Sequence, residues 1–188
     1  NRITAEDFTG KRIIKLIAND ICCYASHTNF DVMGMGDEAA ERLALEERSV
    51  LEITFEDELS QEGIGRVGIL PECMTLRECA SYVKETFDLD TVKVFGEEDR
   101  KVRKAAVVPG AGKDYIRQAV RAGADVYITG DIGHHDGIDA LEQGLTIIDA
   151  GHFGVEQIFV PYMKEFLSRE LPSLHLLSAR QQEPFWYE

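Results

Sequence analysis

The spacing of apolar residues in the first part of the chain predicts two helices and three strands. Residues 5–18 place apolar side chains at helical intervals, whereas the short apolar run at 20–26 is typical of a buried strand. Residues 37–47 are rich in strong helix formers. The segment 49–72 combines a strand, an acidic turn and a second strand interrupted by glycines, which indicates a hairpin.

A further helix and strand follow this hairpin. Thr75 and Glu78 form a capping-box pattern, in which each side chain bonds the backbone of the other residue, and this predicts that a helix begins at Thr75. The helix is expected to run over residues 75–87, and the apolar run at 91–96 predicts the strand after it.

From residue 104 apolar runs and amphipathic stretches alternate regularly. The pattern predicts a kink in the last helix near Pro161, and glycine caps at Gly123 and Gly144 for the two helices before it. The expected elements, in chain order, are a strand at 104–112, a helix at 113–123, a strand at 124–131, a helix at 134–144, a strand at 145–152, a helix at 154–171 and a last strand at 173–178.

Strands that alternate with helices of this length form βαβ units, so we predict an α/β fold with mainly parallel sheets and helices packed on them. Three parts are expected: the remainder of a first α/β element at 1–48, a middle α/β unit at 49–103, and a βαβαβα unit at 104–188. Ligands of such sheets bind beyond the carboxyl ends of the strands. Candidate residues are therefore sought in the turns that follow the strands.

Composition narrows the class of protein. A net charge of −14 and a pI near 4.8 make nucleic-acid binding unfavourable, and no apolar run approaches the ~18 residues of a membrane span. The N-terminus has no apolar segment of the signal-peptide type. The spacing of the four cysteines fits neither a zinc knuckle nor a disulfide framework, so we interpret them as reduced core thiols of a cytoplasmic protein: Cys22, Cys23, Cys73 and Cys79.

Two segments have the same layout of possible metal ligands. A predicted strand is followed by His27 and Asp31, and another by His152 and Glu156, each pair four residues apart. Side chains at this spacing share one helical face, and imidazole with carboxylate suits Zn, Mn, Fe or Ni. Either pair alone is also typical of an ordinary turn and helix start. Because both occur at the same kind of strand end, they favour one shared metal site.

Two neighbouring motifs are weaker candidates. His135, in a His-His-Asp run, is a possible partner of a ligand or a helix-start residue, since adjacent helical residues diverge too far to share one ion. Gly110, Gly112 and Lys113 form a glycine-rich turn that could bind an anion such as a phosphate. The turn matches neither a dinucleotide fingerprint nor a P-loop, so a plain strand-to-helix turn is the alternative.

The motifs together resemble one family over essentially the whole chain. "YASHTNFD", "GIGRVG", "ADVYITGDIGHHD", "IDAGHFGVE" and "SARQQEPFWY" occur in the order seen in the Nif-three-like dinuclear-metal-centre family, also called GTP cyclohydrolase I type 2 homologues and including YbgI-like proteins. The "HTNFD" and "DAGHxxxE" boxes are its most specific motifs. The resemblance implies a layered fold of two α/β halves and a toroidal homohexamer.

The resemblance also implies two divalent ions per intact chain. Asp31, His152 and Glu156 match the family's ligands, with His27 and His135 as weaker or supporting groups. The family's upstream His-His-Pro element is not in this sequence, and since the chain opens on Asn1 we expect that the segment carrying it was removed. The metal could be Zn, Mn, Fe or Ni.

Three functions remain open at this point. The first is a metal-dependent hydrolase-like enzyme, acting on an unidentified substrate such as a phosphoester, a cyclic amide or a small nucleotide. The second is a ring-forming scaffold or regulatory protein that binds metal without turnover. The third is a nucleotide-binding α/β module that uses the glycine-rich turn before Lys113 and no metal.

Overall fold

A single six-stranded sheet with helices on both faces forms the body of the protein in a computed structural model that describes residues 3–186. The strand order is β1-β2-β4-β5-β6-β3. The strands are β1 Glu46–Glu56, β2 Gln61–Thr75, β3 Lys93–Phe95, β4 Lys101–Ala111, β5 Val126–Gly130 and β6 Thr146–Asp149. The α-helices are α1 Phe8–Ala18, α2 Thr28–Phe30, α3 Gly36–Arg42, α4 Leu76–Phe87, α5 Ile116–Arg121, α6 His134–Glu142, α7 His152–Glu156 and α8 Phe159–Glu170.

The predicted α/β class is confirmed, and the sheet is mixed. Parallel pairing joins β4, β5 and β6 at its centre, as expected from alternating strands and helices. Antiparallel pairing adds β1 and β2 at one edge and β3 at the other. The expectation of a mainly parallel sheet therefore holds for the centre and not for the edges. Strands from 49–103 and from 104–188 share this one sheet, and the division into three parts stays a prediction.

Two apolar cores lie on opposite faces of the sheet. Alternation along β5 shows this, because Val126 and Ile128 point into one core and Tyr127 into the other, all three fully buried. Helices α3, α4 and α7 cover the first face, and α5 and α6 cover the second. Because β4, β5 and β6 are parallel, their carboxyl ends meet at one edge of the sheet, and the turns at this edge carry the candidate residues.

Local sequence signals explain the hairpin and the helix that follows it. The Asp57 carboxylate accepts hydrogen bonds at 2.8 Å from the backbone N–H groups of Leu59 and Ser60, which closes the acidic turn between β1 and β2. These bonds hold the pKa of Asp57 below its usual value. Thr75 and Glu78 form the predicted capping box, with Glu78 accepting from the Thr75 N–H at 2.7 Å.

Two predicted strands are wrong. Residues 20–26 and 173–178 form no strand, and both segments lie largely exposed. A strand needs a neighbour for its backbone groups, and neither segment pairs with any strand within residues 3–186. Apolar composition alone therefore misled the prediction, as the exposure of Ile21 (55%) and Leu177 (83%) shows.

The core-thiol interpretation is wrong for three of the four cysteines. Cys22, Cys23 and Cys73 are exposed, and Cys79 on α4 is buried. Burial raises the pKa of the Cys79 thiol to about 12, so this thiol stays protonated. Cys22 and Cys23 are exposed because the strand predicted to bury them does not form.

Two helix predictions need new boundaries. The helix expected at 37–47 starts earlier, because a continuous helical segment runs from Thr28 to Arg42 and includes a π-helical turn at Asp31–Met35. The helix expected at 154–171 is divided into α7 and α8 at Gln157 and Ile158, before Pro161. Pro161 is tolerated in the first turn of α8, because N–H groups in the first turn of a helix have no carbonyl acceptor within that helix. None of the helices within residues 3–186 combines the length and apolar character that crossing a bilayer requires.

Candidate metal centre

A cavity of about 580 Å³ opens where the helical segment beginning at Thr28 meets the carboxyl ends of the central strands. Polar groups from both parts of the chain face it. Its lining includes apolar side chains as well, which would limit the access of water to those polar groups. The residues that line it are Ser26, His27, Thr28, Phe30, Asp31, Met35, Ile64, Val108, Pro109, Ala111, Tyr115, His152, Phe153, Glu156, Gln157, Phe159 and Gln181.

One side of the cavity carries the first predicted pair. His27 precedes α2, and Asp31 opens the π-helical turn, a kind of irregularity that is frequent at functional sites. The His27 Nδ1 lies 3.0 Å from the Thr28 hydroxyl oxygen. Burial raises the pKa of Asp31, and the nearby imidazoles of His27 and His152 partly oppose that shift. The cavity therefore brings the first pair within electrostatic range of the second.

The second predicted pair lies at the start and end of α7. His152 Nε2 is 3.3 Å from Glu156 Oε2, as their spacing of one helical turn predicts. The other imidazole nitrogen, Nδ1, lies 2.9 Å from Oδ2 of Asp131, which follows β5. His152 thus bridges two carboxylates, one on each side of its ring.

The pKa values at this pair reflect burial and charge together. Burial lowers the pKa of His152, but the hydrogen bond to Asp131 and the charge of Glu156 outweigh it, so the pKa is raised overall. Burial raises the pKa of Glu156; His152 opposes this shift and the negative charge of Asp31 adds to it. Carboxylates that repel one another at a half-buried site favour a bound cation.

Gly110, at the end of β4, leaves the space that the Glu156 carboxylate fills. A Cβ atom at this position would lie 2.4 Å from Glu156 Oε1 and 3.5 Å from His152 Nε2. The backbone of Gly110 also has a φ of 78°, which disfavours any other residue. Gly110 was predicted as part of an anion-binding turn, which stays a prediction, and the structure places it against Glu156 and His152.

An ion pair below the site joins the two turns that carry Asp131 and His152. Asp149, at the end of β6, accepts from the backbone N–H of Ile132 at 3.0 Å and from that of Gly151 at 3.1 Å. Lys93 lies 2.8 Å from the Asp149 carboxylate and donates to the Ile132 carbonyl oxygen at 2.7 Å. The turns after β5 and β6 are therefore held by the same two side chains.

The donor atoms fit a divalent ion as a partial ligand set. Ligand bonds of about 2.0–2.2 Å at octahedral or tetrahedral angles place neighbouring N and O ligands about 2.8–3.6 Å apart, a range that includes the 3.3 Å between His152 Nε2 and Glu156 Oε2. Asp31 faces the same cavity. Within residues 3–186, no three His, Cys, Asp or Glu side chains come together closely enough to hold an ion by themselves.

The weaker candidates lie apart from the cavity lining. His135 is exposed on α6, with its ring 5.4 Å from that of His134. Lys113 is exposed and opens a short 3-10 turn. The N–H of Gly112 donates to the Gly130 carbonyl oxygen at 3.4 Å, so it is engaged within the fold rather than presented to an anion. The structure therefore does not bring His135, Lys113 and Gly112 to the two candidate ligand pairs.

Sequence reasoning missed Asp131 and Asp149. Both lie directly at strand ends, in the motifs "ITGD" and "IIDAGH", so their position at the ligand edge of the sheet was readable. Their partners were not, because each contact joins segments at least 17 residues apart. Pairing of β5 with β6 brings those segments together.

Comparisons with known proteins agree on one family. The Duf34/NIF3 (NGG1p interacting factor 3) model matches residues 1–184. A Clostridium acetobutylicum protein named GTP cyclohydrolase 1 type 2 homolog is 38% identical over 195 residues, covering 100% of this chain and 72% of the relative. A Clostridium perfringens protein of the same name is 34% identical, covering 97% and 71%. The structure of a Bacillus cereus protein related to NIF3 superposes with a TM-score of 0.87 at 26% identity, covering 100% of this chain and 79% of that one.

Proposed function

This chain belongs to the Duf34/NIF3 family, as its motifs predicted, and we propose that it is a divalent-metal-binding member whose centre supports hydrolysis. The observation that carries the proposal is the approach of His152 Nε2 and Glu156 Oε2 to 3.3 Å. The relatives' name, GTP cyclohydrolase 1 type 2 homolog, is compatible with a hydrolytic reaction and leaves the substrate open.

The protonation of His152 explains why this approach favours a cation. A neutral imidazole carries one N–H, and donation of the Nδ1 proton to Asp131 leaves a lone pair on Nε2. That lone pair faces the Glu156 oxygen, which also bears lone pairs. Two such atoms at 3.3 Å repel each other unless a positive charge lies between or beside them. A proton satisfies this need below the raised pKa of His152, and a divalent ion would do so above it.

The carboxylates give support for more than one ion. Glu156 directs Oε2 to His152, while its Oε1 occupies the space beside Gly110, so its two oxygens face different neighbours. Asp31 lies across the same cavity and supplies a second negative charge. We propose that Asp31, His152 and Glu156 are ligands of a dinuclear centre and that His27 supports them. The centre would be completed by ligands other than these.

Each residue would have a separate task in the reaction. Bound divalent ions would lower the pKa of a water molecule and polarise a phosphoryl or carbonyl oxygen of the substrate. The carboxylates of Asp31 and Glu156 would offset the cationic charge, and His152 would orient the site through its fixed ring. His27 lines the same cavity and would support the ligands from beside them.

Metal content of the full natural chain tests the proposal first. We expect about two ions per chain after loading with Zn, Mn, Fe or Ni, as in other two-metal sites, measured by elemental analysis. Glu156→Gln should lower this content without unfolding the protein. Glu165→Gln on the neighbouring helix α8 is the matched control, because Glu165 is exposed and the charge change is the same.

Activity of the loaded protein decides between enzyme and scaffold. We expect hydrolysis of a nucleotide, a phosphoester or a cyclic amide that disappears with Glu156→Gln and stays with Glu165→Gln. Metal binding without any turnover of these substrates would replace the hydrolase proposal with a non-catalytic metal-binding role. Protein that binds no divalent ion would refute both, and the predicted hexameric ring can be checked on the same sample by light scattering.

A further inference from the structure

We propose that Asp131 is a positioning residue that fixes the tautomer and orientation of His152, so that Nε2 faces the cavity. The inference rests on the proposed function, because the role of Asp131 would be to prepare His152 as a metal ligand. The contact is direct: Asp131 Oδ2 lies 2.9 Å from His152 Nδ1. Ligating histidines commonly donate their second N–H to a carboxylate, which raises the basicity of the ligating nitrogen.

Asp131 lies in a backbone conformation that glycine adopts more readily than aspartate. Its φ is 59°, in the left-handed region that non-glycine residues seldom adopt. Glycine would fit this conformation at lower cost, and Gly130 precedes it directly. An aspartate here provides something that glycine cannot, and the structure shows what it is: a carboxylate on the Nδ1 side of the His152 ring.

The turn that carries Asp131 is fixed relative to the turn that carries His152. Asp149 binds the N–H of the residue after Asp131 and the N–H of the residue before His152. Lys93 adds a bond to the carbonyl oxygen of Ile132. The distance between Asp131 and His152 is therefore set by the protein, and the carboxylate is in place before any ion binds.

The imidazole has two neutral tautomers, and Asp131 selects between them. With Nδ1–H donated to Asp131, Nε2 is left as the acceptor on the side of Glu156. The opposite tautomer would give up this 2.9 Å contact for the longer one of 3.3 Å between Nε2 and Glu156, so the shorter contact favours the proton on Nδ1. Asp131 thus removes a proton from the position that a metal ion would take.

Two substitutions separate this role from a purely structural one. Asp131→Asn keeps an oxygen acceptor and tolerates a positive φ, but it lacks the negative charge. Asp131→Gly suits the backbone and has no side chain at all. A residue needed for the turn alone would be replaced without loss by either. A positioning role predicts weaker metal binding in both, about 10-fold for Asn and up to about 100-fold for Gly.

Asp20→Asn is the matched control. Asp20 is exposed and has a φ of 53°, close to that of Asp131, but it follows α1 outside the cavity lining. Affinity for Zn²⁺ or Mn²⁺ is measured by calorimetry on the full natural chain, and urea unfolding checks that every variant is folded. Unchanged affinity in Asp131→Asn and Asp131→Gly, or an equal loss in Asp20→Asn, would overturn the inference.

The metal-free protein gives a readout that does not depend on activity. Nitrogen-15 NMR of the imidazole at a pH where it is neutral should show His152 protonated at Nδ1 in the wild type and at Nε2 to a large extent in Asp131→Gly. A wild-type His152 protonated at Nε2 would overturn the inference. If the wild type shows the Nδ1 proton but binds no ion, the metal proposal fails while the role of Asp131 in orienting His152 stands.

Discussion

Replacing Gly110 by alanine should weaken metal binding at least 10-fold while leaving the fold intact. The added methyl group would lie 2.4 Å from Glu156 Oε1, about 1 Å closer than carbon and oxygen atoms approach in ordinary contact. The carboxylate must move by about that distance, away from the position that it shares with His152. Because ligand bonds to divalent ions tolerate only small errors in length, we expect the affinity to fall at least 10-fold.

The same substitution also costs backbone energy, which can be estimated separately. Alanine at a φ of 78° is disfavoured by about 1–2 kcal/mol relative to glycine. Gly144→Ala is a matched control, since Gly144 has a φ of 82° and no atom within 4 Å of its added Cβ. Both variants should lose about 1–2 kcal/mol in urea unfolding of the metal-free protein, and Gly110→Ala should lose somewhat more because of the contact with Glu156.

Calorimetric titration with Zn²⁺ or Mn²⁺ then separates strain from displacement of the ligand. Gly144→Ala should bind the ion as the wild type does, and Gly110→Ala should not. Wild-type affinity in Gly110→Ala would show that the Glu156 carboxylate is not a ligand in the position described. Equal losses in the two variants would show that backbone strain, and not the space beside Gly110, controls the site.

Three further perturbations follow from contacts in the fold. Asp37→Asn should lower the free energy of unfolding by about 1.5–3 kcal/mol, because the buried Arg66 guanidinium (side chain 6% exposed) loses its bidentate carboxylate partner at 2.6 Å. Urea unfolding measures this loss, and an unchanged midpoint would contradict the prediction. Tyr127→Phe should lower the free energy of unfolding by only about 1 kcal/mol in the same assay. The Gly112 carbonyl oxygen loses the tyrosine hydroxyl at 2.8 Å but still accepts from the Tyr115 N–H. A loss above about 3 kcal/mol would contradict this prediction. Because the pKa of His152 is raised in the folded state, the folded metal-free protein binds more protons than the unfolded chain near and above pH 6.5. Its melting temperature should therefore fall as pH rises through that range, and added Zn²⁺ should remove this decline. A melting temperature that rises with pH in the absence of metal would refute the assignment.

The second predicted pair illustrates what sequence alone could establish. The contact between the His152 and Glu156 side chains was predicted correctly because it is local. A buried strand, a short turn and a spacing of one helical turn determine its geometry. The central strands and helices were predicted for the same reason, since period and capping residues act over a few positions. Asp31 could be linked to this pair only by the matching layout of the two motifs and by family resemblance, because 121 positions separate Asp31 from His152.

The errors have a common physical origin in partners that are distant in sequence. Residues 20–26 have the composition of a buried strand, but a strand exists only where another one supplies hydrogen bonds. The π-helical turn at Asp31–Met35 carries no signal strong enough to predict it, and the break between α7 and α8 lies at Gln157 and Ile158, before the kink expected near Pro161. The role of Asp131 depends on the register of β5 with β6, which no local pattern specifies.

That register determines the geometry of the second ligand pair. Thr129 lies opposite Asp149 in the parallel pair, and the Ala150 N–H donates to the Thr129 carbonyl oxygen at 2.8 Å. A Cβ at Gly130 would lie 2.4 Å from the backbone nitrogen of His152, so the chains approach this closely only because residue 130 is glycine. The sheet therefore fixes the position of α7.

The opposite side of the cavity is attached by different contacts. Asp31 belongs to a helical segment that the Arg66–Asp37 ion pair joins to β2 at 2.6 Å, and Asp37 lies two residues after the π-helical turn. Loss of that ion pair should loosen Asp31 while the contact of His152 with Glu156 persists, because the register of β5 and β6 does not depend on it. The two sides of the candidate centre are thus supported independently, and an ion bound between them would couple the helical segment to the sheet.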